Sequence, residues 1–189
     1  SQIKNLMKCV FRAGLEIKEL VYSPLASALA VATPRQKELG VVVATIGGST
    51  TSIAVFEEGD LLHTAILPIG SQHITSDIAI GLRTSIEVAE RVKIEYGTTR
   101  PSEISKKDEI DLAALGAPES EIVSRKLVAE IIEARVEEIF EKIEKELKKI
   151  ARDGMLPAGV VFTGGGAALT GLVDFAKKKL RLPASLGYP

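Results

Sequence analysis

The chain has 189 residues, 46% hydrophobic and 26% charged, enough for one folded domain, or one domain and part of another, with a core of ordinary size. A formal net charge of -1 supplies no global basic field for nucleic acid or anionic lipid. The single Cys9 excludes an internal disulfide and a cysteine-based metal cluster and fits a reducing compartment, and the two histidines fall in different predicted elements, which leaves no histidine metal site.

The opening residues SQIKNLMKCVFRAG lack the apolar core and cleavage site of a signal peptide. No stretch reaches the roughly 18 apolar residues that span a bilayer. A soluble, cytoplasmic protein is expected, and a piece of a longer one, because the first element reads as the middle of something. Residues 4–14 carry Leu6, Met7, Val10 and Phe11 at a helical period, with Gly14 as C-cap and Cys9 as a small buried hydrophobe. EIKELVYSP predicts a short strand centred on Leu20–Tyr22. A helix follows over SPLASALAVA, with Ser23 as N-cap and Pro24 in its first turn, and Pro34 ends it.

From Glu38 the pattern changes to strands. LGVVVATI is nearly continuous and β-branched, as in a strand buried on both faces. TSIAVFEEG and DLLHTAILPIG follow, and turns at Gly47-Gly48 and Glu58-Gly59-Asp60 make a three-stranded antiparallel meander. Residues 72–83 predict one helix. TSIEVAERVKIEYG predicts another, capped by Thr84 or Ser85 and closed by Gly97. Residues 98–120 are irregular, consistent with short strands or an exposed insertion. A long helix is predicted from Ser120 to about Ala151, apolar at Leu127, Ile131, Ile132, Val136, Ile139, Phe140, Ile143, Leu147 and Ile150. Glu138/Lys142, Glu141/Lys145 and Glu144/Lys148 would pair on its other face. AGVVFTGGGAAL predicts strand, turn and helix, the helix reaching about Lys179, and RLPASLGYP an extended tail. The interspersed order βββ–α–α–(irregular)–α–β–α gives an α/β class with a mixed sheet.

Two glycine-rich turns carry the chemistry: Gly47-Gly48-Ser49-Thr50-Thr51 and Thr163-Gly164-Gly165-Gly166-Ala167. Glycine lets backbone approach a ligand closely, and successive free N–H groups make an anion cradle. The second turn also opens a predicted helix, whose N-terminus favours negative charge. Neither is a Walker A loop, since no Gly-Lys-Ser/Thr follows. Each alone is equally a hairpin or a packing turn. Glu90 and Lys93 alone read as a solvated helix face, Arg135 as a surface charge that only Glu138 on its own helix can pair, and His63 and His73 as structural.

In order and spacing, a phosphate-type hairpin, then Ala89, Glu90 and Lys93 on a helix, then a strand ending in GGG resemble the second half of the actin/hexokinase-type ATPase fold. RAGLEIKELVYSPLASALAV, KELGVVVATIGGSTTSIAVFEEGDLLHTAILPIG, HITSDIAIGL, AERVKIEYG and GVVFTGGGAALTGL are similar to the FtsA family of bacterial cell-division proteins over essentially the whole chain, least over 98–120. The resemblance implies an actin-like (ribonuclease H-like) second domain over residues 37–189, with 98–152 as its outer subdomain and 1–36 as the end of a first domain. It implies that Gly47, Gly48, Ser49, Thr50 and Thr51 hold phosphates, that Glu90 and Lys93 border ribose and adenine, and that Gly164, Gly165 and Gly166 form the adenosine motif. ATP and Mg²⁺ are the implied cofactors, with Thr45 at the metal position. The resemblance also implies that Arg135 falls on the long helix that, in that family, helps receive the acidic C-terminal tail of FtsZ.

The family's turn normally reads Asp-x-Gly-Gly-Gly-Thr-Thr-Asp; here its aspartates are Thr45 and Ser52 and its third glycine is Ser49. A carboxylate at the first position would hold the metal's water shell or orient the attacking water, so weak nucleotide binding or inefficient hydrolysis is expected. The expected function is an adaptor that polymerises and links FtsZ to the membrane at the division site, on the inner face of the cell membrane. The family's first phosphate loop and its membrane-targeting helix are expected outside this sequence. A small actin-like ATPase or a sugar-kinase-type phosphotransferase is the alternative.

Overall fold

The computed structural model describes residues 2–189. Its centre is a five-stranded mixed sheet in the order β3-β2-β1-β6-β7. The antiparallel meander forms as expected, from β1 (Val41–Ile46), β2 (Thr51–Glu57) and β3 (Asp60–Leu67). β6 (Gly159–Thr163) lies parallel to β1, and β7 (Ala184–Leu186) parallel to β6. Parallel neighbours need long crossovers. α4 (Ser71–Leu82), α5 (Ile86–Tyr96) and α6 (Arg125–Lys149) lie in the first, and α7 (Leu172–Leu180) makes the second.

β1 is buried on both faces, as its VVVATI run requires. On one face Val42, Ala44, Val55, Val160 and Phe162 join apolar side chains of α4–α7 in the main core. On the other, Val41, Val43, Ala54, Phe56 and Val161 pack against Ala28 of α2 (Ser23–Val31) and against Ala32. Phe140 of α6 ties the layers of the main core together. Its ring centroid lies 5.5 Å from Phe162 on β6 and 5.6 Å from Phe175 on α7.

Several expectations change. Residues 15–22 pair with no strand among the described residues, and Leu20, Val21 and Tyr22 are exposed, because strand propensity makes no strand without a ladder partner. α1 (Gln2–Arg12) forms, but none of its residues is buried; Cys9 is therefore exposed and free. Ser23 does not cap α2, whose N-cap is Tyr22. Pro34 opens a short α3 (Pro34–Leu39), capped by Thr33: its hydroxyl accepts from Gln36 N–H at 3.2 Å while its own N–H donates to Gln36 Oε1 at 2.8 Å.

α6 begins at Arg125 rather than Ser120, because Ile122–Ser124 are drawn off as β5, paired with β4 (Glu109–Asp111). Glu138–Lys142 and Glu144–Lys148 pair as expected, whereas Glu141 meets Lys179 of α7 at 3.1 Å. The tail is an edge strand: Val160 N–H donates to Pro183 O and Gly187 N–H to Phe162 O, both at 2.8 Å. Phe140→Ala is expected to lower stability by about 3–5 kcal/mol, read as a shift in the urea midpoint of the folded chain.

Candidate functional site

The turn joining β1 to β2 is oriented by α4. Gly47 O and Gly48 O accept from the Ser71 and Gln72 N–H groups, each at 2.8 Å. Its carbonyls are thus turned onto the helix start, and Gly70 permits the contact: a Cβ there would stand 2.4 Å from Gly48 O. The N–H groups of Gly48, Ser49 and Thr50 have no hydrogen-bond partner among the described residues, and all three residues are exposed. The turn therefore presents donors outward, which is what an anion needs. Ser49 Oγ donates to Gln72 Oε1 at 2.8 Å. Thr51 differs from its neighbours: it is fully buried and its hydroxyl donates to Ile69 O at 2.8 Å, so that hydroxyl braces the turn from behind and is not free to meet a ligand.

Glu90 and Lys93, one turn apart on α5, are not a solvated face. Lys93 Nζ donates to Glu90 Oε2 at 2.7 Å, to Thr75 Oγ1 at 2.8 Å and weakly to Ser71 O at 3.4 Å. Thr75 Oγ1 in turn donates to Glu90 Oε2 at 2.5 Å. Burial works to raise the Glu90 pKa, but the Lys93 and Thr75 hydrogen bonds and the Lys93 charge outweigh it and hold the carboxyl below its ordinary range. Glu90 is therefore ionised throughout the neutral range. Lys93 is nearly buried, and its three donors are used within this cluster.

The second glycine turn leaves β6 beside the end of β1. It forms a single 3-10 turn, Gly165–Ala168, and not the start of α7, which begins at Leu172; no long helix N-terminus points from Gly164–Gly166. Gly164 has φ +86, and a Cβ there would stand 2.6 Å from Ile46 O. A Cβ on Gly166 would stand 2.4 Å from Ile46 Cγ2, whereas one on Gly165 would meet nothing within 4 Å. Gly164 and Gly166 pack the turn on β1; Gly165 faces open space.

These parts line one cleft. A cavity of about 310 Å³ is walled by Glu90, Lys93, Gly165 and Gly166, with Ile74, Ile94 and Leu169 as its apolar side. A neighbouring recess of about 700 Å³ shares Ser71, Glu90 and Lys93 and reaches Gly48. One charged pair between a turn with free N–H donors and an open glycine turn, beside an apolar wall, fits a ligand with an anionic end and a flat apolar end. Gly70, Ser71, Gln72 and Thr75 escaped the sequence reading. The signal was there in Gly70 directly ahead of the predicted helix, where a close backbone approach is natural.

The family model described as "Cell division protein FtsA" matches residues 42–189. The chain belongs to the FtsA family. It is 39% identical to cell division protein FtsA of Pseudomonas aeruginosa over 98% of this chain and 45% of that protein. It is 42% identical to FtsA of Bacillus subtilis over 99% of this chain and 42% of that protein. The chain thus spans under half the length of these relatives. Among solved structures, MreB5 of Spiroplasma citri bound to ADP superposes with a TM-score of 0.79 at 19% identity, over 98% of this chain and 60% of that one. The ethanolamine utilization protein EutJ of Carboxydothermus hydrogenoformans gives 0.68 at 26% identity, over 95% and 54%. The fold is actin-like.

Within this FtsA-family chain, Arg135 stands apart from the cleft. Its Nη2 donates to Asp77 Oδ1 at 2.9 Å and its Nε to Asp77 Oδ2 at 2.5 Å, joining α6 to α4, and Nη1 meets Glu138. Helical spacing offers Arg135 only Glu138 as a local partner; the forked contact to Asp77 comes from the α4–α6 packing. Thr45 lies on the α2 side of the sheet, paired across β2 with Ser52 and across β6 with Thr163. All three are half-buried, and their hydroxyls have no partner among the described residues. No group of three or more His, Cys, Asp or Glu among the described residues is placed to hold a metal. The donor set at Thr45 does not fit a carboxylate-held Mg²⁺. Gly166→Ala is expected to cost about 1–3 kcal/mol through the clash with Ile46. Gly165→Ala should change stability by less than about 0.5 kcal/mol, compared by thermal melts of the two variants.

Proposed function

We propose that the cleft is a nucleotide site. The reading has the Gly48–Thr50 N–H groups holding the phosphates of ATP, Glu90 and Lys93 bordering the ribose, and Gly165 and Gly166 with Ile94 and Leu169 taking the base. The observation that carries it is the convergence of both glycine turns and the Glu90–Lys93 pair on one cleft. Superposition on an actin-like protein bound to ADP supports it. Residues 37–189 would form the second actin-like domain of an FtsA-type adaptor, with 98–152 as its outer subdomain and 1–36 belonging to the first. With Thr45 and Ser52 in place of carboxylates, the first turn offers no carboxylate to orient a water for attack, so the bound nucleotide would be hydrolysed slowly or not at all.

In the same reading the whole protein polymerises and links FtsZ to the inner face of the cell membrane through a segment outside this chain. Arg135 would receive an acidic FtsZ tail on the α4–α6 face, sharing its guanidinium between the tail and Asp77.

In the full-length protein, ATP followed by calorimetry should bind, and Gly165→Val should weaken that binding about tenfold or more at unchanged melting temperature. Unaltered affinity in that variant would remove the 164–166 turn from the site. Arg135→Glu should weaken binding of an acidic FtsZ tail peptide about tenfold in a fluorescence titration, with a thermal melt to confirm folding. Equal affinity would take Arg135 out of the interface.

A further inference from the structure

The edge of the sheet from which both glycine turns leave carries three hydroxyls and no carboxylate. Thr45 precedes the first turn by two residues and Thr163 the second by one. The register sets Ser52, Thr45 and Thr163 side by side across β2, β1 and β6. Side chains in register on adjacent strands share a face and stand close to one another. None of the three hydroxyls has a hydrogen-bond partner among the described residues, although each residue is half-buried. Thr45 and Ser52 flank the turn that carries the free N–H groups of Gly48, Ser49 and Thr50. The carboxylates that line the cleft, Glu87 and Glu90, both come from α5, and Glu90 is already neutralised by Lys93.

We propose that this site takes its nucleoside triphosphate as the metal-free anion, with the Thr45–Ser52–Thr163 hydroxyl row as an uncharged subsite for the terminal phosphate. The inference rests on the nucleotide reading above. Its logic is electrostatic. A carboxylate beside a polyphosphate repels it unless a divalent cation stands between them, and that arrangement makes binding depend on Mg²⁺. Hydroxyls and backbone N–H groups are neutral donors. They meet phosphate oxygens directly and supply no charge to hold a hydrated cation. With hydroxyls in place of both carboxylates, this row neither repels the bare polyphosphate nor holds a hydrated cation. Geometry alone makes the row: the parallel β1–β6 pairing brings Thr163 beside Thr45, although the two are far apart in the chain.

The test is an ATP titration of the full-length protein by calorimetry, in excess Mg²⁺ and in excess EDTA. Affinity in EDTA is expected to equal that in Mg²⁺ within about threefold, or to exceed it. Thr45→Asp should lose about tenfold or more in EDTA and recover in Mg²⁺, since the new carboxylate repels the bare anion. Thr45→Val with Thr163→Val, near-isosteric changes that keep strand propensity, should weaken binding in EDTA about tenfold and leave the melting temperature unchanged. This pair keeps the test decisive if Thr45→Asp fails to fold. Binding that collapses in EDTA for the unaltered protein overturns the inference and leaves the nucleotide reading standing. Unchanged EDTA affinity in the double valine variant removes the hydroxyl row from the site. Absence of ATP binding in both buffers overturns the nucleotide reading and this inference with it.

Discussion

The parallel pairing of β1 with β6 is the constraint on which the rest depends. Five register pairs, from Val41↔Gly159 to Thr45↔Thr163, bring both strands to an end at the same edge of the sheet. Two turns separated by more than a hundred residues therefore leave side by side. The approach is so close that the second turn tolerates no side chain at Gly164 or Gly166, where a Cβ would run into Ile46. Sites in open α/β sheets form outside the carboxyl ends of parallel strands, and here that position holds the free N–H groups of the first turn and the open face of Gly165.

The helices complete this edge by supplying charge and a wall. α4 starts directly against the first turn and engages the Gly47 and Gly48 carbonyls, while the Gly48, Ser49 and Thr50 N–H groups stay unpaired among the described residues. α5 contributes Glu90 and Lys93, which Thr75 locks into one network with α4. A preorganised pair costs less to order around a ligand than two free side chains would. The α4–α5 pair is held in turn by α6, through the main core and through the Arg135–Asp77 contact. Through Arg135 and Asp77, α6 bears on the same helix that orients the first glycine turn, which physically connects the α4–α6 face to the cleft.

The glycine turns, the meander and most helices were legible in the sequence because each is written in local terms. Alternating runs, Gly-Gly between β-branched stretches, and the Ser85 cap all act within a few residues. What failed to read locally depended on distant partners. Leu20–Tyr22 has strand composition but no ladder partner among the described residues, while RLPASLGYP looked like a tail and became β7 because the edge of β6 was open to it. Thr51 looked like a phosphate ligand, as Thr50 did. Alternation on β2 sends its side chain into the core beneath Ile69, and Thr50 stays exposed.

The sequence by itself determined the class of the fold, the family, the two turns and the loss of both motif carboxylates, since these are matters of residue identity and short spacing. Only the tertiary structure decided that Glu90 and Lys93 bind each other and Thr75, that Gly165 alone of its triplet faces open space, and that Thr45, Ser52 and Thr163 stand in one row. Those facts follow from strand register and helix packing, which bring together residues that local periodicity cannot relate.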